Sequence, residues 1–170
     1  MRLFEFINEG IKVYHGAEVH GRRVIGHTGK NSTTFGSYDS KRYGWFFSSN
    51  PKYSALYGTV DSYEISIPKS QVIDVGTNDF LGMFHDWCER HHPNAARVLR
   101  QGIPVWNYFE DDMGEIFMEF VKEKKIKVVK FTEYIHDETG KELKGTTYVV
   151  FDLHIVRRNP DPAQPDLFLK

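Results

Sequence analysis

The sequence is short of several things, and each shortage narrows what the protein can be. It has one cysteine, Cys88, in 170 residues, so no internal disulfide can form and nothing in the chain demands an oxidising compartment. It has no long apolar run. The longest are Trp45-Phe46-Phe47 and Tyr148-Val149-Val150-Phe151, far short of the roughly 20 residues that a membrane helix needs. It has no excess of one charge: 22 Lys and Arg against 23 Asp and Glu leave a net charge of -1, which argues against wrapping duplex nucleic acid. The first ten residues hold two glutamates, Glu5 and Glu9, and no long apolar stretch, unlike a secretory signal. No internal repeat and no low-complexity block interrupts the chain.

What is present suits one soluble domain. Hydrophobic residues make up 40% and charged residues 26%, enough for a packed core, and the aromatic share of 15% is unlike a disordered chain. Ile11 to Tyr14 alternates apolar and polar residues and reads as a strand that stops at His15-Gly16. Glu18 to Tyr43, rich in Gly, Ser, Thr, Asn and charge, reads as a long loop with one turn of helix. Gly44 to Ser48 reads as an aromatic strand. Ser49-Asn50-Pro51 is a helix start, with a capping side chain and Pro at the first helical position, and that helix runs through Tyr57 to Gly58. Val60 to Ile67 and Val72 to Val75 read as strands. Asp79 to His92, Asn94 to Gln101 and Gly114 to Lys124 read as helices. Ile126 to Phe131 and Tyr148 to Val156 read as further strands, and Arg157 to Lys170, with three Pro, as an extended tail. The sum is an α+β domain over residues 10–156 with five or six short strands.

Three separated pieces carry the chemistry: Val13-Tyr14-His15-Gly16, Gly44-Trp45-Phe46-Phe47-Ser48 running into the helix that holds Ser54 and Tyr57, and Thr147-Tyr148-Val149-Val150-Phe151-Asp152. In that order they resemble the ADP-ribosyltransferase superfamily, more closely the small transferase domains of phage polyvalent proteins, and also the catalytic domain of poly-ADP-ribose polymerases. The resemblance covers residues 11 to 156. It implies a split sheet of short strands with flanking helices, NAD as substrate, and an acceptor that is a host protein or nucleic acid. By position it implies that His15 bonds the ribose beside the adenine. Gly16 offers its backbone, and Ser54 its hydroxyl, to the nicotinamide carboxamide. Tyr57 stacks on the nicotinamide, and Phe46 lines the pocket where the family often has a second Tyr. His15, Tyr57 and Thr147 are then the catalytic positions.

Thr147 departs from the family, which usually has Glu just before this Tyr. A hydroxyl can bond the ribose but carries no charge, so polymer elongation is not expected, while transfer of a single ADP-ribose is. Glu115, Glu133 and the run Glu110-Asp111-Asp112 are the carboxylates that could substitute. No Glu-x-Glu pair occurs, so the arginine-modifying branch is not indicated. Each residue alone also has an ordinary reading: His15 as a surface imidazole, Phe46 and Tyr57 as core, the carboxylates as solvated charge. The rival functions are therefore a transferase fold that has lost catalysis and binds NAD, ADP-ribose or a protein, and a structural internal head protein.

Two other patterns stand outside the motifs. His85, Cys88 or Glu89, and His92 share one helix face, but no second ligand cluster accompanies them and no metal is expected. Lys122 to Lys130 holds five lysines and one glutamate, a local basic patch. At the N-terminus, Ile7-Asn8-Glu9 followed by Gly10 resembles the site cut by the prohead protease of large tailed phages. That implies a removable capsid-targeting tag over residues 1–9, cleavage between Glu9 and Gly10, and a protein held inside the virion before entering the host cytoplasm.

Overall fold

A computed structural model describes residues 10–17, 31–35, 38–56, 59–137 and 139–159. Its strands are β1 (Ile11–Ala17), β2 (Asn31–Phe35), β3 (Tyr38–Arg42), β4 (Trp45–Ser48), β5 (Thr59–Ile65), β6 (Ile73–Asp74), β7 (Val128–His136), β8 (Glu142–Val150) and β9 (Val156–Arg158). Its helices are α1 (Pro51–Ala55), α2 (Asn78–His91), α3 (Pro93–Arg100) and α4 (Asp111–Glu123). Seven strands form one sheet in the order β6-β7-β8-β4-β1-β5-β9, and β2 pairs with β3 in a separate hairpin. Only β6 runs parallel to its neighbour, as its long connection to β7 through α2, α3 and α4 requires. The mixed α+β class agrees with the sequence.

The sheet separates two cores. On one face α2, α3 and α4 lay Phe80, Phe84, Ala96, Phe117 and Phe120 against Val129, Phe131 and Val149. On the other, Val13, Trp45, Phe47, Tyr63 and Ile65 gather with Val128 and Val150. Adjacent valines of β7 and β8 therefore serve opposite cores, as strand alternation dictates. The indole Nε1 of Trp45 has no hydrogen-bond partner among the described residues.

Several expected boundaries change. The segment read as a loop holds β2 and β3, whose largely polar sequences carry no apolar alternation to mark them. β8 begins at Glu142, not Tyr148, because residues 142–146 pair with β7 alone and need no apolar run. The expected strand to Val156 breaks after Val150. Asp152 accepts from His154 N at 3.0 Å, turning the chain through Leu153–Ile155. Val156 to Arg158 then pairs with β5, so Arg157 and Arg158, assigned to the tail, belong to the sheet. α4 starts three residues early, its first turn holding Asp111 and Asp112 where the helix dipole favours negative charge.

The end of α4 is unusual. Ile126 N bonds Val121 O at 3.0 Å and Lys125 N bonds Lys122 O at 3.3 Å, a Schellman turn whose left-handed position normally takes glycine. Here it is Lys125, at φ 55, a choice that costs roughly 1 kcal/mol relative to glycine.

Candidate functional site

The sheet order makes the three motif strands neighbours: β8, β4 and β1. Tyr14 lies opposite Ser48, and Ser48 opposite Thr147, in one cross-strand row. α1 sits over this row because its start is specified locally. Asn50 Oδ1 accepts from Lys52 N at 2.9 Å, Pro51 needs no N–H partner, and Asn50 Nδ2 donates to Lys144 O of β8 at 2.9 Å. Ser49 N also donates to Thr146 O at 2.9 Å. At Gly145 an added Cβ would lie 2.9 Å from Ser48 Oγ and 3.6 Å from Tyr53 Cδ2. The missing side chain thus lets the helix settle onto β8.

The register of β7 on β8 brings a carboxylate to Thr147, and the settled helix adds Tyr53 to it. Glu133, on β7 opposite Gly145, accepts from Tyr53 OH at 2.7 Å and from the Thr147 hydroxyl through the same Oε2. Among the carboxylates named as substitutes, Glu133 alone bonds Thr147 among the described residues. Glu115 accepts from Tyr43 OH at 2.9 Å, and Glu110 pairs with Arg42 at 2.9 Å. Thr147 is buried, as is Ser54, whose hydroxyl donates to Tyr14 O at 3.1 Å.

His15 lies on the other side of the sheet. Residues paired across strands share a face and successive residues alternate, so His15 faces away from the Tyr14–Ser48–Thr147 row. Its ring meets Phe47 at 5.6 Å, and across β5 its partner is Asp61. His15 Nδ1 is 2.7 Å from Phe46 O. A carbonyl only accepts, so this contact puts a proton on Nδ1 and leaves Nε2 as the acceptor of the neutral ring. Phe46 itself turns to the Thr147 side, edge-on to Phe109 at 5.5 Å and under the Arg42 guanidinium at 5.6 Å. Gly16 pairs with Val60. Tyr57 and residues 1–9, including Glu9, lie outside the described residues.

The chain matches no protein-family model, no curated protein and no solved structure. The geometry therefore has to be read by itself. It joins Ser54, Thr147 and Phe46 on one face of three adjacent strands and leaves His15 on the opposite face, beside Asp61 and Arg158. Arg158 Nη2 reaches Asp61 Oδ1 at 3.2 Å. Asp61, Gly145 and Arg158 were not singled out from the sequence: a buried aspartate in an alternating strand and a glycine in a polar one carry no local signature.

The helix-face cluster of His and Cys does not converge. Cys88 is fully buried and its thiol is pushed up to about 11 by that burial. His92 instead bonds Glu119 at 2.8 Å. His85, Asp86 and Glu89 do approach one another within 4.8 Å. The Arg100 guanidinium already bonds both His85 Nε2, at 3.0 Å, and Glu89.

Proposed function

We propose that the protein is a mono-ADP-ribosyltransferase-like phage protein that uses NAD to modify a host protein or nucleic acid. The observation that carries this reading is the Glu133 carboxylate bonded to Thr147. It supplies, from the neighbouring strand, the negative charge that the family keeps in the residue at Thr147. In this reaction the bond between ribose C1′ and nicotinamide breaks, nicotinamide leaves with the electron pair, and a nucleophile of the acceptor adds to C1′ and loses its proton. A carboxylate beside the ribose stabilises the oxocarbenium-like transition state. The resemblance assigns the stacking on the leaving ring to Tyr57; His15, on the face of the sheet opposite Thr147, takes no part in this step. Thr147 itself carries no charge and the Glu133 oxygen beside it is already held by Tyr53 and Thr147, so the expected product is a single ADP-ribose and not a polymer.

One observation favours a second reading, a transferase-like fold that binds NAD, ADP-ribose or a protein without transfer. Ser54 and Thr147 are only 3% and 4% exposed, and both hydroxyls are spent on the protein itself. Labelled NAD incubated with host extract separates the two. Transfer is expected as one discrete gel shift per site, and Glu133→Gln should reduce it about 100-fold while leaving NAD affinity within about threefold. NAD binding with no transfer by the wild type selects the second reading, and binding of neither NAD nor ADP-ribose removes the first and leaves only the protein-binding form of the second. The packaging reading is tested apart from these, by the N-terminal peptide of the protein from purified virions, expected to begin at Gly10.

A further inference from the structure

We propose that a groove beside the C-terminal turn of α4 is a docking site for an acidic peptide segment of a partner protein, anchored by apolar side chains. The site is independent of the NAD reading. The groove is open and encloses about 500 Å³. Its floor is apolar: Met118, Val121, Ile126 and Phe151. Lys122, Lys125 and Lys127 stand around it, all exposed, and none of the three is ion-paired among the described residues. The two glutamates that also line it are already engaged, Glu115 by the Tyr43 hydroxyl and Glu119 by His92. Those hydrogen bonds do not discharge the glutamates, so three lysines against two glutamates leave the lining with a net positive charge of one.

Lys125 strengthens the case by where it stands. It holds the left-handed position of the turn, which glycine would fill with less strain. The chain keeps a cation at the groove's edge at the expense of local stability, the pattern expected of a functional position. Charge complementarity then selects the occupant. Three ammonium groups around an apolar floor match carboxylates alternating with Leu or Phe. A single-stranded nucleic acid would want exposed rings for its bases to stack on, and Phe151, the one aromatic side chain lining the groove among the described residues, is turned toward Phe117 at 6.2 Å.

The probe is a fluorescein-labelled ten-residue peptide in which Asp or Glu alternates with Leu or Phe, titrated by anisotropy against the full chain. Binding is expected, and replacing Lys122, Lys125 and Lys127 by Gln should weaken it at least about tenfold, as should about 0.5 M salt. Peptides with the acids changed to amides, or with Leu and Phe changed to Ser, should each lose binding to a similar degree. Lys125→Gly guards against a variant that merely misfolds: it should weaken binding about two- to threefold while raising the unfolding midpoint. No binding at about 1 mM wild-type protein, unchanged affinity in the Gln variants, or equal binding by the Ser peptide or an oligothymidine would overturn the proposal.

Discussion

Cys88 and Tyr43 hold their protons far past the usual pH. Burial pushes the Cys88 thiol from 9.0 up to about 11. Burial first, then donation to Glu115 and the nearby carboxylates Glu115, Asp111 and Asp112, push the Tyr43 hydroxyl from 10.0 up to about 12. In the unfolded chain both groups ionise near their ordinary values. Between pH 9 and pH 12 the unfolded chain therefore binds fewer protons than the folded one, and stability must fall as pH rises. Below pH 9 the contribution is complete. The urea midpoint is thus expected to hold steady up to pH 9 and decline above it, with Tyr43→Phe flattening the decline between pH 10 and pH 12. Native Cys88 should also resist a thiol reagent that modifies it at once in urea.

At the scale of the element, two glycines inside helices make opposite forecasts from the same substitution. Alanine favours a helix over glycine by about 1 kcal/mol. At Gly82 of α2 an added Cβ meets nothing within 4 Å, so Gly82→Ala should stabilise by roughly 0.5–1 kcal/mol. At Gly114 of α4 it would lie 2.5 Å from Tyr43 Cδ2 and 2.9 Å from the backbone carbon of Phe109. Overpacking of that kind costs about 1–3 kcal/mol. It exceeds the propensity gain, and Gly114→Ala should destabilise. Chemical denaturation of both variants checks the pair. The same local logic explains which elements were legible in the sequence. α1, β4 and α2 announced themselves through Asn50-Pro51, an aromatic run and helical spacing. β2, β3 and the first half of β8 each find their strand partner within one hairpin and are largely polar in sequence, so no apolar period marks them. The site was half legible for a related reason. Glu133 could be named as a spare carboxylate, but its meeting with Thr147 needs the register of β7 on β8. Likewise the alternation of Val13 and His15 fixes their common face. Which face Thr147 takes depends on the Tyr14–Ser48–Thr147 pairing across three strands, which no neighbouring residues encode.

At the scale of the whole molecule, the sheet ends on β9, three residues that cover one edge of β5. Val156 packs against the second core, Asn159 N bonds Ser62 O at 2.9 Å, and Arg158 reaches Asp61. A chain ended at Ile155 should be less stable than one ended at Asn159 by about 2–4 kcal/mol. It should also self-associate through the bared β5 edge, visible as higher mass in light scattering. The division into two cores has a further consequence, an optical one. Trp45 lies in one core, Trp87 in the other, and Trp106 is half exposed in the turn before α4. Each compartment of the protein thus carries its own fluorophore, with a third in contact with solvent. Variants that keep a single indole would register the melting of one side of the sheet at a time, so the molecule brings its own means of asking whether its halves come apart together.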